Sequence, residues 1–443
     1  MKIVRFNDAL IMAARLTNGR KFSKPIRIIR DVYGKIRFAI DCKKEEFEEA
    51  DLDFLRSGVK TFGAFASPGD IVFQDDFADP KRIFDSLDWH KVVINIAEFG
   101  EAEHEVELQL LDRQVVGQYW LDASTSDGQP KNVPPRVVFY GIKGGVGRST
   151  ALALFAYRLA HAGKNVLLLD FDLESPGLSG LLLPPERVGE YGIVDWFVED
   201  AVDQADNMLS SLVVDSPLSD HTQGKIRVAP AMGLGETSYL SKLSRVYADV
   251  PRSGSTAEHF SARIRRLVRE LEQREQPDVV LIDSRAGLHD LAAISIAGLS
   301  SLALLFATDT AQNWQGYGQL FAHWRSYPIV LRQVRERLVL VQALFPESDQ
   351  VARSESFRQH AYDLFANNLY DQIAPVASAE EEAEAFSYSL DDEDAPHFPL
   401  QIRWNARLQE FSPLVAFEKG GASDAEVNAA FGRFFDAIEE TIF

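Results

Sequence analysis

Residues 136–180, RVVFYGIKGGVGRSTALALFAYRLAHAGKNVLLLDFDLESPGLSG, constrain this chain more than any other stretch. They run as an apolar strand, a glycine-rich turn, a helical pattern and a second apolar strand. Gly144, Gly145 and Gly147 let the backbone turn tightly and aim successive N–H groups at an anion. The helix that starts near Ser149 adds the positive end of its dipole at the same place. Such a turn is a phosphate cradle. Within it Ser149 stands where a hydroxyl ligates Mg²⁺, and Thr150 can donate to a phosphate oxygen.

Downstream, apolar runs at 136–141, 166–170, 226–229, 279–283, 302–307 and 337–342 alternate with helical patterns such as 149–162, 256–274, 311–325 and 350–367. Strand–helix alternation predicts an α/β fold with a mostly parallel sheet between helices. Residues 123–135, rich in Ser, Gly, Pro and Asn, read as a linker. Residues 1–122 read as a small α+β domain: a helix over 7–18 opened by Asn7, a hairpin of 26–30 and 36–40 around DVYGK, and a charged helix over 43–57. The expected organisation is therefore 1–122, a linker at 123–135, and one large domain over 136–443.

Composition narrows the function classes. The single Cys42 excludes an internal disulfide, a cysteine-built metal or Fe–S cluster and dithiol chemistry, and it fits a reducing cytoplasm. The opening MKIVRFNDALIMAARLTNGRK is too interrupted by charge for a secretory signal, and no window of about 20 apolar residues occurs, so a cytoplasmic location is expected. A net charge of −20 argues against coating nucleic acid with the whole surface. The charge is uneven: residues 1–40 carry ten basic side chains against Asp8 and Asp31, while 380–394 holds eight carboxylates and no base. The first is either a partner-binding patch or a solvated face; the second reads as a solvated acidic loop.

Two further motifs follow the glycine loop in order. Asp170 and Asp172 end the next strand, and PDVVLIDSRAGLHD, residues 277–290, puts Asp283 at the end of another. Taken singly, each acid is either a strand-end carboxylate or part of a metal site. Phosphoryl transfer needs cationic charge on the β- and γ-oxygens, a metal held by a hydroxyl and an acid, and an ordered water in line. Arg148 or Lys143, then Ser149 with Asp283, then Asp172 answer to these needs.

In this order the residues resemble the deviant-Walker P-loop ATPases of the ParA/MinD type (SIMIBI class). Their loop reads KGGxGK[ST]T, against Lys143-Gly144-Gly145-Val146-Gly147-Arg148-Ser149-Thr150 here. A KGGVGR[ST] subgroup continues DxDLExPGL, matched by residues 170–178, and the stretch HFPLQIRWNARLQEFSPLVAFEKGG resembles the loop before the family's last helix. The likeness spans about 136–443. It implies a P-loop NTPase fold, ATP/ADP and Mg²⁺ as cofactors, and an ATP-dependent homodimer with slow hydrolysis that controls a protein partner or cargo. It further implies that Gly144 to Thr150 hold nucleotide, that Lys143 reaches the nucleotide of the second subunit, and that Ser149, Asp170 and Asp283 surround the metal. Asp172, in the first switch, would position the attacking water, and the Gly287 amide in the second would sense the γ-phosphate. Gln342 falls either near the adenine or at a plain strand end.

Two departures stand out. Arg148 occupies the place of the P-loop lysine; a guanidinium binds phosphate bidentately but is planar and bulkier, which leaves hydrolysis open. Arg285 replaces a second-switch proline. The alternatives are a non-hydrolysing nucleotide-sensing module, or an ATP-dependent partitioning ATPase that binds DNA non-specifically. For partners, residues 1–122 suit a protein. The helix over 256–274 turns Arg263, Arg265, Arg266 and Arg269 away from its apolar side, either toward DNA phosphates or toward solvent. Residues 423–443 have a capping box (Ser423, Glu426) and a stripe of Val427, Phe431, Phe434, Phe435, Ile438 and Ile442. Asp436, Glu439 and Glu440 give it the wrong sign for anionic lipid, so a docked core helix is expected and a membrane contact is not.

Overall fold

The computed structural model describes residues 3–96, 104–123, 133–234, 238–252, 257–373, 385–408, 413–414 and 423–443. The chain divides into two compact units, Met1–Leu121 with Ala322–Arg332, and Asp122–Phe321 with Gln333–Phe443. Ala322–Arg332 thus groups with the first unit, although the sequence places it inside the long second stretch. Its anchors are specific: Trp324 Nε1 donates to the Trp120 carbonyl at 2.9 Å, and the Ser326 carbonyl accepts from the Val93 amide at 2.9 Å. Most of the expected linker, 124–132, lies outside the described residues, as do 98–103, 256, 380–384, 409–412 and 415–422.

In the first unit β1 (Ile26–Arg30), β2 (Ile36–Ile40), β3 (Ala66–Val72), β4 (His90–Asn95) and β5 (Glu105–Asp112) form a sheet in the order β3-β2-β1-β5-β4. The hairpin turn is held by Asp31 Oδ1, which accepts from the amides of Tyr33 and Lys35, with Gly34 at φ +80°. The expected helix over 43–57 is two pieces, a single turn at Lys44–Glu46 and a helix over Glu49–Val59, because Phe47 and Glu48 are extended between them. Several of the basic side chains in 1–40 are used internally: Arg30 grips Asp112 with two hydrogen bonds, and Arg20 pairs with the buried Asp51 at 2.6 Å.

In the second unit β6 (Arg136–Gly141), β7 (Val166–Phe171), β8 (Val214–Asp215), β9 (Ile226–Ala229), β10 (Val279–Ser284), β11 (Leu302–Ala307), β12 (Leu338–Phe345) and β13 (Leu400–Arg403) lie in the order β13-β12-β11-β6-β10-β7-β9-β8. Among the described residues only β8 pairs antiparallel in this sheet. Every residue of β6, β7, β10 and β11 is buried, as a sheet covered on both faces requires. The helix Asp424–Ile442 opens with the Ser423–Glu426 capping box and buries Phe431, Phe434, Phe435 and Ile438; Phe435 stacks on Phe155 at 5.4 Å. Arg158 holds its acidic side through Asp436 and Glu439. It is a docked core helix, and among the described residues no helix is long and apolar enough to cross a membrane.

The helix Phe260–Glu275 corrects the expected arginine face. Arg263 is fully buried, donating to Asp200 at 2.8 Å and to the carbonyls of Phe197, Val246 and Ala248. Arg266 bonds Asp200 and Glu258, and Arg265 bonds Asp122. Only Arg269 of the four is exposed. The helical repeat gave the right side of the helix, but acids from 122, 200 and 258 cover it.

Candidate functional site

The sheet order reverses at β6, which lies between β11 and β10 while the next strand in the chain, β7, lies beyond β10. Open parallel sheets bind ligands in the crevice at such a point, beyond the carboxyl ends of the strands. The loop leaving β6 there turns through Gly145 at φ +76° and Gly147 at φ +81°, a backbone that side chains disfavour. A Cβ on Gly144 or Gly145 would meet nothing within 4 Å, so the turn faces open space. Gly147 begins the helix Arg148–His161 without a side-chain cap, which leaves first-turn amides for an anion.

Beneath the turn, Ser149 Oγ donates to Asp283 Oδ2 at 2.5 Å. Asp283 on β10 is in register with Asp170 on β7. Asp170 Oδ2 accepts from the Ser179 amide and hydroxyl at 3.0 and 2.6 Å. The other oxygens, Asp170 Oδ1 and Asp283 Oδ1, are buried and without a partner. Burial, and then the neighbouring Asp283, push the Asp170 carboxyl up to about 7; burial pushes Asp283 up to about 6 against the pull of Arg148 and Ser149. Two orphaned oxygens beside a hydroxyl fit a divalent cation. Among the described residues no group of three or more His, Cys, Asp or Glu could hold a metal ion by itself.

Arg148 is 7% exposed, and its guanidinium is engaged from below: Nη1 donates to the Ser284 carbonyl at 2.7 Å, and Nη2 lies 3.6 Å from Asp172 Oδ2. Burial raises the Asp172 pKa above the usual aspartate value, against the pull of Arg148. Lys143 is half-buried and its ammonium has no partner among the described residues. Gly287, at φ +84°, donates its amide to the Gly141 carbonyl at 3.1 Å, so the expected phosphate sensor is occupied by the loop's own base. Arg285 pairs with Glu174.

Val146 and Thr150 join Gly145, Gly147, Arg148 and Ser149 along one wall of a cavity of about 350 Å³. Leu344, Arg403, Trp404 and Asn405, with Leu408 and Phe431, also line it. Gln342 is not in it: β12 runs on to Phe345, so Gln342 is inside the strand, 4% exposed, accepting from Gln401 Nε2 at 2.9 Å. Trp404 and Asn405 went unassigned from sequence. The available signal was a tryptophan followed by Asn just past a strand; Trp404 is 42% exposed.

Residues 137–313 match the CobQ/CobB/MinD/ParA nucleotide binding domain. No curated protein matches the chain. Among solved structures, a putative plasmid partition protein from Borrelia burgdorferi B31 bound to AMPPNP is similar at 12% identity and a TM-score of 0.44, over 70% of this chain and 100% of that one. The pNOB8 ParA bound to nonspecific DNA is 16% identical, with a TM-score of 0.41 over 70% and 97%. The MinD cell division protein of Aquifex aeolicus is 16% identical, with a TM-score of 0.40 over 69% and 97%.

Proposed function

We propose, from the match of residues 137–313 to the CobQ/CobB/MinD/ParA nucleotide binding domain, that the second unit is an ATP-driven switch, dimeric with ATP and slow to hydrolyse it, which controls a protein partner through residues 1–122. The observation that carries this is the open glycine turn above the Ser149–Asp283 bond, flanked by the two orphaned carboxylate oxygens. The backbone of Gly144 to Thr150 binds the phosphates, and the Thr150 hydroxyl donates to one of them. Ser149 and Asp283, with Asp170 behind them, hold Mg²⁺; when bound, Mg²⁺ neutralises charge on the phosphate oxygens. Trp404 and Asn405 line the space left for the rest of the nucleotide.

Arg148 reaches phosphate by giving up the Ser284 carbonyl and Asp172. Asp172, once released, accepts a hydrogen bond from the attacking water and orients it. Lys143, half-buried beside the turn, supplies its charge to the nucleotide of a second copy. The test is the light-scattering mass of the full chain with Mg²⁺ and ADP or ATP. A monomer with ADP and a dimer with ATP are expected, and Lys143→Ala should lose the dimer; equal masses overturn the dimerisation.

One observation favours a second reading, a nucleotide sensor without turnover: the Arg148–Asp172 contact occupies the group assigned to water. No phosphate release at saturating ATP would establish it. The DNA-binding alternative loses the surface proposed for it, since Arg263, Arg265 and Arg266 are committed to acids and carbonyls. A salt-sensitive gel shift seen only with ATP would restore that alternative at another surface.

A further inference from the structure

Glu174 lies on the loop that follows β7, two residues after Asp172, and it is tied to the loop that follows β10. Arg285 pairs with its Oε1, the Tyr247 hydroxyl donates to the same oxygen, and His289 Nε2 lies 3.9 Å from it. Arg285 directly follows Ser284, whose carbonyl holds Arg148; the other arm of Arg148 reaches Asp172. The contacts close a ring from Asp172 through Arg148, Ser284, Arg285 and Glu174, completed by the backbone of 172–174. Neither end of the Glu174–Arg285 pair is fully buried, at 23% and 29% exposed, so it can open without unfolding the sheet beneath it. Glu174 Oε2 is buried without a partner, which leaves acceptor capacity for a donor that arrives when the loops rearrange.

We propose that Glu174 is a positioning residue that clasps the 172–178 loop to the 284–289 loop through Arg285, so that the two respond to nucleotide together and Asp172 is carried with them. The proposal rests on the ATP-switch reading for its consequence, but the clasp itself exists without nucleotide. A bistable element shared by two loops is what lets one ligand contact move both.

The test is hydrogen exchange at the amides of 173–178 and 285–289 in the full chain, without nucleotide and across an ATP·Mg²⁺ titration. The native chain is expected to change in both segments at one ATP midpoint. Glu174→Gln and Arg285→Gln should speed nucleotide-free exchange at 173–178 by about tenfold. With ATP they should separate the two midpoints, and lower kcat while KM stays within about threefold. The charge-swapped double variant Glu174→Arg with Arg285→Glu should bring the midpoints back together. Unchanged nucleotide-free exchange in Glu174→Gln, or a shared midpoint in it, overturns the proposal. If the charge variants fail to fold, Tyr247→Phe removes one arm alone and should speed exchange in the same segment; no change there also overturns it. A native chain that ignores ATP would sink the ATP-switch reading, and the nucleotide-free arm would still decide the clasp.

Discussion

Replacing Asp283 by Asn should stabilise the nucleotide-free protein at pH 8 while removing its response to Mg²⁺ and nucleotide. Burial holds the Asp283 carboxyl at about 6 where an ordinary aspartate titrates at 3.8, so the folded state resists ionising it. Its contribution to stability is fully present below 3.8 and is lost as pH rises through about 6. At 1.36 kcal/mol per tenfold in proton affinity, the ionised form costs about 3 kcal/mol at pH 8 and about 1 kcal/mol at pH 4.5. Asn carries no charge at either pH and its amide oxygen still accepts from Ser149 Oγ. Urea denaturation of both proteins at pH 8 and 4.5 should give the variant an advantage near 3 kcal/mol at the first pH that shrinks by about 2 kcal/mol at the second. A variant less stable at pH 8, or a gap that does not narrow with acid, would refute the burial argument.

Ser149→Ala removes the hydrogen bond to Asp283 and should cost about 1–3 kcal/mol in the same assay, together with Mg²⁺-dependent nucleotide binding measured by calorimetry. Arg263→Ala opens a cavity and strips a donor from Asp200; a loss of about 3–5 kcal/mol is expected by urea denaturation. Gly147→Ala forces a side chain to φ +81° and should cost about 1–2 kcal/mol, read as a lower melting temperature, with weaker nucleotide binding.

What was legible in the sequence was local. The glycine spacing, the strand before it and the helix after it lie within 45 consecutive residues, and the structure has them in that order. The mostly parallel sheet followed from alternation alone. What the sequence could not carry was the partner of each charge. Arg148 is held by a carbonyl 136 residues away, and Arg263 by an acid 63 residues before it, so neither direction is encoded nearby. Gln342 reads either as a neighbour of the adenine or as a plain strand end; β12 runs on to Phe345, which makes it an interior side chain of the strand. Trp404 and Asn405 reach the cavity because β13 pairs with β12, a pairing no local pattern announces.

Because Ala322–Arg332 belongs to the first unit, that unit is discontinuous along the chain. On the ribosome its first 121 residues emerge well before the segment that supplies Trp324 to the Trp120 carbonyl. At about 5–20 residues per second the wait is about 10–40 s. During that time the nascent first unit lacks a piece of its own interior, while the intervening residues of the second unit are already appearing. The two units therefore cannot mature strictly one after the other, and a fragment cut at residue 122 would isolate an unfinished body.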